Sequence, residues 1–222
     1  VQTCALPISL FWEILKPGGS KEPVGNVKAA IEKLGGSKLK GLILDLRETP
    51  GGAVQAATET ASLFLKPDQL IFTIKGKKEG DQQEARVPKN AEPYSFPVAI
   101  LLDSKTASAS EILSGALQDH DRVTILGEPT YGKGLVQNVF PMMANTGLAL
   151  TIAFYYTPSG RSIQKPLASG SLDVAAKATP GTFHTDGGRE VRGGGGIQPD
   201  QEVYPAAISP LLYVLEGSGA LT

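Results

Sequence analysis

The sequence predicts an α/β domain with a mostly parallel sheet flanked by helices and a β-rich C-terminal part. Three observations predict it. Short apolar runs, "GLILD" at 41–45 and "VAILLD" at 98–103, read as buried strands. Each ends in an acid and gives way to turn residues. Segments with helical spacing of apolar residues stand between such runs, so strand and helix alternate. A chain of 222 residues can bury one good core, and no internal repeat divides it.

The elements follow in order. Residues 25–34, "GNVKAAIEKL", place Val27, Ile31 and Leu34 on one face of a helix. "KGLILDLRE", 40–48, is a short buried strand with a polar end, broken by "TPGG" at 49–52. "AVQAATETASLFL", 53–65, is a helix with Val54, Ala57, Ala61 and Phe64 or Leu65 inward. "LIFTIKG", 70–76, reads as a strand, and the charged, turn-rich segment 77–95 as a solvated excursion. "PVAILLD", 97–103, is another buried strand. "SASEILSGALQDHD", 108–121, is a helix with Ile112, Leu113, Ala116 and Leu117 on its apolar side. "RVTILGE" at 122–128 is a strand, "GLVQNVFPM" after Lys133 is extended, and "GLALTIAFYYTP", 147–158, is a longer strand of alternating character. Residues 166–196, rich in Gly, Ser, Ala and Thr, read as loop. "GGGGIQPD", 193–200, is a turn before a short strand.

Composition removes several function classes. A net charge of −1 offers no basic surface for nucleic acid. No run of about 18 apolar residues exists to span a membrane. His120, His184 and the single Cys4 do not make a usual zinc site, and a lone cysteine forms no disulfide within the chain, so neither metal nor cofactor is expected. Residues 1–8, "VQTCALPI", are what GTT CAG ACG TGT GCT CTT CCG ATC encodes, the end of a common sequencing adapter. They are set aside from fold reasoning. Cys4 is then expected to be foreign, the natural N-terminus to lie upstream, and residues 9–222 to carry the core.

Three turns follow the C-terminal ends of predicted strands, where α/β sheets assemble their sites. They are "DLRETPGG", 45–52; "DSKTASASEI", 103–112; and "GEPTYGKGLVQ", 127–137. The third nearly spells the phosphate loop G-x-x-x-x-G-K-[ST]. However, Gly134 stands where the magnesium-holding hydroxyl belongs, and extended chain follows where a helix must face the anion. Without that loop, Asp45 and Asp103 read as strand terminators rather than magnesium ligands. The second turn sets Ser104, Thr106, Ser108 and Ser110 at the entrance to a helix, whose free N–H groups and positive end stabilise a developing oxyanion. Gly51–Gly52 would present a further N–H with no side chain in the way. A plainer reading stands beside this one. Ser108-x-x-Glu111 matches a capping box, glycines after a strand are ordinary turns, and Lys133 is a solvated loop lysine. On the residues alone the cap is favoured over the nucleophile.

"GLILDLRETPGG", "TASASEILSGALQDHDR", "GEPTYGKGLVQ", "YYTPSGRSIQ" and "GGGIQPD" together resemble the carboxyl-terminal processing peptidases, the tail-specific serine proteases of family S41. The blocks occur in the family's order and, with the helix before them, cover roughly residues 24–200. The resemblance implies a crotonase/Clp-protease-like core. It also implies a nucleophilic Ser in the "SASE" block, a general-base Lys 25 residues on, and a supporting Gln four residues further. These positions are Ser108, Lys133 and Gln137. The N–H of Ala109 and one from Gly51 or Gly52 would form the oxyanion hole. Asp119, on a family-typical position, reads as a structural residue at the helix end bonded to Arg122. His120 invites a Ser-His-Asp triad, but the resemblance assigns the base to Lys133; His184 reads as inert.

The implied chemistry needs a neutral amine. Moving a lysine from about 10.4 to about 7–8 takes roughly 4 kcal/mol, which burial away from counter-charges supplies. Gly132 and Gly134 suit a turn that brings Lys133 inward, and Gln137 would orient the amine through a neutral amide. The resemblance also implies protein or peptide substrates with free C-termini, some of them membrane-associated. It implies an upstream PDZ domain, missing here, and an extracytoplasmic location, in the bacterial periplasm or cell envelope or in the plastid lumen. The chain departs from the family at Glu48-Thr49, where Asn-Asn is usual; the extra carboxylate is expected to alter substrate preference near the scissile bond. Two other readings compete. One is a non-catalytic ligand-binding module on the same fold, against which Ser108, Lys133 and Gln137 argue together. The other is a crotonase-like acyl-CoA enzyme, for which "TASASE" and Lys133 have no evident use.

Overall fold

The computed structural model describes residues 4–6, 23–78, 80–143, 146–166 and 181–204. Its first strand, Cys4–Leu6 (β1), pairs in parallel with Leu42–Asp45 (β2). Three residues of the segment that sequence reading sets aside thus take part in the sheet. The helix between them, Pro23–Leu34 (α1), buries Val27 and Ile31, as their four-residue spacing predicts. Next come the helix Val54–Ser62 (α2), the strands Leu70–Gly76 (β3), Gln82–Arg86 (β4) and Val98–Leu102 (β5), and the helix Ala109–Asp119 (α3). The strands Val123–Gly127 (β6), Leu135–Pro141 (β7), Gly147–Tyr156 (β8), Thr182–His184 (β9), Glu190–Arg192 (β10) and Gln201–Glu202 (β11) complete the described chain.

Five strands form a parallel sheet in the order β1-β2-β5-β6-β11. That order never reverses. With right-handed crossovers, every connection then falls on one face of the sheet, where α1 packs on α2 and α2 on α3. The strands bear this out: β2 and β5 alternate buried with half-buried residues. The core gathers Leu42, Leu44, Ile100 and Leu102 from the sheet with Ala57, Ala61, Phe64, Ile112 and Leu117 from the helical layer.

A second sheet, antiparallel in the order β4-β3-β8-β7, packs against α3 through β3. The sequence places β3 in the parallel alternation; it leaves that layer instead. β4 lies within the expected solvated excursion. Its side chains are almost all exposed and none sets a two-residue alternation, so only the backbone ladder to β3 makes it a strand. The loop expected at 166–196 contains the short β9–β10 hairpin, while residues 167–180 lie outside the described residues. Helix α3 is more buried than one apolar face implies, for all its residues are shielded between the parallel sheet, α2 and β3.

Candidate active site

The turns after β2, β5 and β6 meet at the C-terminal edge of the parallel sheet. Asp103, at the end of β5, accepts the amides of Glu48 (3.0 Å), Lys105 (3.0 Å) and Thr106 (2.9 Å). The Thr106 hydroxyl donates to the carbonyl of Leu46 (2.9 Å), and the Ala107 N–H donates to that of Thr49 (2.9 Å). The Thr106 carbonyl in turn receives the N–H of Tyr131 (2.9 Å), which fastens the third turn. Asp45 forms a two-bond pair with Arg47 at 2.9 and 2.7 Å. Both strand-end acids are therefore engaged in terminating strands.

Ser108 stands at the mouth of α3 with φ 57° and ψ −118°. A non-glycine residue in this region costs of order 1–3 kcal/mol and persists only where its surroundings fix it. A strained strand-to-helix turn exposes the nucleophile of α/β-hydrolases in a similar way. Of the four hydroxyls, Thr106 and Ser110 are fully buried, whereas Ser108 is half-buried and reachable. Gly51 packs directly on this turn at φ 101°: a Cβ there would lie 2.7 Å from Ser108 Cβ and 2.8 Å from the Ala107 carbonyl. Only glycine fits so close an approach. Among the described residues, the N–H groups of Gly51, Gly52 and Ala109 find no acceptor. They are the three donors named for the oxyanion.

The turn after β6 is held at five consecutive amides. Thr130 donates to Ile197 O, Tyr131 to Thr106 O, Gly132 and Lys133 to the Glu111 carboxylate, and Gly134 to Gln164 Oε1. The chain's own carboxylate thus occupies two of the amides that an anion would use in a phosphate loop. Gly132 adopts φ 86°, and a Cβ there would lie 2.5 Å from Lys165 Cγ. Sequence reasoning sees Glu111 only as a capping partner. The structure gives it four donors and full burial, and burial pushes its carboxyl above the ordinary 4.5 against the pull of those hydrogen bonds.

Ser108 and Lys133 are brought together through Glu111 Oε2, which accepts both their N–H groups at 2.8 Å. The two backbone nitrogens are therefore separated by no more than twice that distance. The expectation of a buried amine fails, because the Lys133 side chain is exposed. Its turn is fixed by backbone contacts on both sides, which leaves the long side chain to project outward. Gln137 is likewise exposed, on β7 at the edge of the second sheet beside a bulge.

The far end of α3 corrects another pairing. Asp119 bonds Arg161 (2.8 Å), not Arg122, and both partners are 1% exposed. Gln118 (2.7 Å) shares the same guanidinium, and the Ser159 N–H reaches Asp119 at 2.9 Å. Arg122 instead donates to the carbonyls of Phe64, Tyr94 and Phe96 (3.0, 2.8 and 2.8 Å). Arg161 and Gln164 were legible only as part of a family block; a buried arginine signals that it must find an acid. His120 contacts Asp186 (2.7 Å) and the Leu70 carbonyl (2.7 Å), about 18 Å along the helix from Ser108. It takes no part in the site, and His184 lies in β9. The exposed Glu48 carboxylate is paired with Lys105 at 2.7 Å, and Thr49 turns its hydroxyl inward to the Leu46 carbonyl.

The model of peptidase family S41 matches residues 6–171. A carboxy-terminal-processing protease of Bartonella bacilliformis is 40% identical over 149 residues, which are 65% of this chain and 34% of that protein. The chloroplastic carboxyl-terminal-processing peptidase 2 of Arabidopsis thaliana is 40% identical over 139 residues, 63% of this chain and 27% of that one. The chain thus spans about a third of the length of the curated relatives it matches. The solved photosystem II D1 C-terminal processing protease superposes with a TM-score of 0.62 at 25% identity, covering 87% of this chain and 46% of that chain.

Proposed function

The chain belongs to peptidase family S41 and carries its Clp-protease-like fold, and from that premise we propose that it is the catalytic core of a serine endopeptidase that cuts proteins near their C-termini. The observation that carries the proposal is the conformation of Ser108, a reachable hydroxyl on a strained turn at a helix mouth, with Lys133 tied to the same carboxylate.

Ser108 Oγ attacks the scissile carbonyl carbon while its proton passes to neutral Lys133 Nζ. Charge collects on the carbonyl oxygen and is met by the N–H groups of Ala109 and of Gly51 or Gly52, which need no reorganisation. Collapse expels the amine, which takes the proton from Lys133, and leaves an acyl ester on Ser108. Water, deprotonated by Lys133, then releases the C-terminally trimmed product. Because the Lys133 side chain is exposed in the free chain, its loss of water is assigned to the substrate seating over it. Gln137 orients the amine once it is covered. An upstream PDZ domain of the longer protein would present the substrate tail by adding it to a sheet edge. Membrane-associated substrates and an extracytoplasmic location fit the same reading.

Incubation of the chain with an unfolded protein substrate tests this. Ser108→Ala is expected to abolish cleavage, a loss on the order of 10⁴-fold or more, and Lys133→Ala to lose about 10²–10⁴-fold. Both should keep the wild-type melting temperature within a few degrees. Undiminished turnover in Lys133→Ala would remove the lysine from the mechanism.

A further inference from the structure

We propose that Glu111 is a positioning residue for this reaction: one buried carboxylate sets the distance between the turn that carries Ser108 and the turn that carries Lys133. The proposal rests on the peptidase reading for its consequence and on geometry for its substance. Oε1 accepts the Thr130 hydroxyl at 2.5 Å and the Gly132 N–H at 2.7 Å. Oε2 accepts the Ser108 N–H and the Lys133 N–H, both at 2.8 Å. Glu111 is fully buried, and none of the ion pairs among the described residues includes it. A buried carboxylate without a cation is costly. Helix capping does not require it, since glutamine serves a capping box as well.

What requires a carboxylate is the set of four donors. A glutamine amide carries one acceptor and one donor group. Whichever way it turned at position 111, its NH₂ would face either Ser108 and Lys133 or Thr130 and Gly132, and two N–H or O–H groups would lose their acceptor. Aspartate keeps the charge but is one methylene short, and cannot span both turns from the same Cα. That Cα is fixed, because α3 is buried along its whole length. The carboxylate therefore works as a rigid gauge block. It pins the strained Ser108 from its own amide and takes up the neighbouring turn at two successive amides. A misplacement near 1 Å between reacting groups costs about 10²-fold in rate.

Backbone amide exchange and the rate of Ser108 modification by a fluorophosphonate probe, both measured on the chain, test the proposal. In wild type the amides of Ser108, Gly132 and Lys133 are expected to exchange slowly. In Glu111→Gln at least one of the two turns should lose about tenfold or more in protection, while the amides of Leu113, Ala116 and Leu117 keep theirs. Phosphonylation should slow about 100-fold. Unchanged exchange at all three amides, or an unchanged phosphonylation rate, overturns the proposal. Should Glu111→Gln also expose the helix interior, Glu111→Asp takes its place, with one turn released and the other held; both turns held at the wild-type rate would overturn it equally. Failure of wild-type Ser108 to react contradicts the peptidase reading instead, and amide exchange still decides whether Glu111 joins the two turns.

Discussion

The two ends of α3 are both polar and both buried, yet they are built on opposite terms. At the C-terminal end Asp119, Asp121 and Asp200 each meet an arginine. Asp119 and Arg161 form a fully shielded pair that Gln118, the Ser159 amide and the Arg192 carbonyl also bond, and Arg189 links Asp121 to Asp200 at 2.6 Å each. At the N-terminal end the terms do not close. Glu111 is buried without a cation, Ser108 sits in a strained conformation, three amides find no acceptor among the described residues, and Lys133 stands in solvent. In the first arrangement, removing one partner would leave a buried charge uncompensated. The second persists where chemistry requires it, and local rules of folding are broken mainly at such places.

Substitutions that separate stability from chemistry sharpen this contrast. The largest stability effect belongs to the C-terminal end. Asp119→Ala leaves Arg161 buried and unpaired, and should cost roughly 3–5 kcal/mol in denaturant unfolding. A cost below about 1 kcal/mol would mean that the pair is not shielded in solution. Gly51→Ala acts at the other end. Its Cβ must displace Ser108 or Ala107, and the expected loss is about 10²–10³-fold in turnover, the range for a damaged oxyanion hole. A fully active Gly51→Ala would place the substrate oxygen elsewhere.

The smallest effect is on pH dependence. Burial holds the folded Glu111 carboxyl above 4.5, opposed by the Thr130 hydroxyl and the amides of Lys133, Ser108 and Gly132. A raised carboxyl pKa means that the folded state binds the proton more readily than the unfolded one. Its contribution is whole below about 4.5 and is lost as pH rises through the folded value. The melting temperature of wild type relative to Glu111→Gln should therefore decline as pH rises above about 4.5. A difference that is flat, or that grows with pH, would show that burial does not dominate at this carboxylate.

Much of the fold was legible because its signals are local. The limits of β3 coincide with the apolar run "LIFTIKG", and the three site turns lie where glycine and hydroxyl residues interrupt apolar runs. β4 escaped because it is held only by its ladder, a contact no side-chain pattern records. The true partner of Asp119 escaped because Arg161 is distant in sequence and the nearby Arg122 was available. Glu111 illustrates the same limit within the site. The bond to Ser108 is local and reads as a cap, whereas the bonds to Thr130, Gly132 and Lys133 come from another strand's turn. The exposure of Lys133 is not legible for a related reason, since whether a side chain is covered depends on what else packs there.

The most direct test of the central claim is the site of covalent capture. The chain is treated with a fluorophosphonate, digested, and mapped by mass spectrometry in wild type and in Lys133→Ala. A single modification at Ser108 in wild type, slowed by about 10²-fold or more in Lys133→Ala, is the predicted result. Modification at Ser104 or Ser110, or equal rates with and without Lys133, would contradict it.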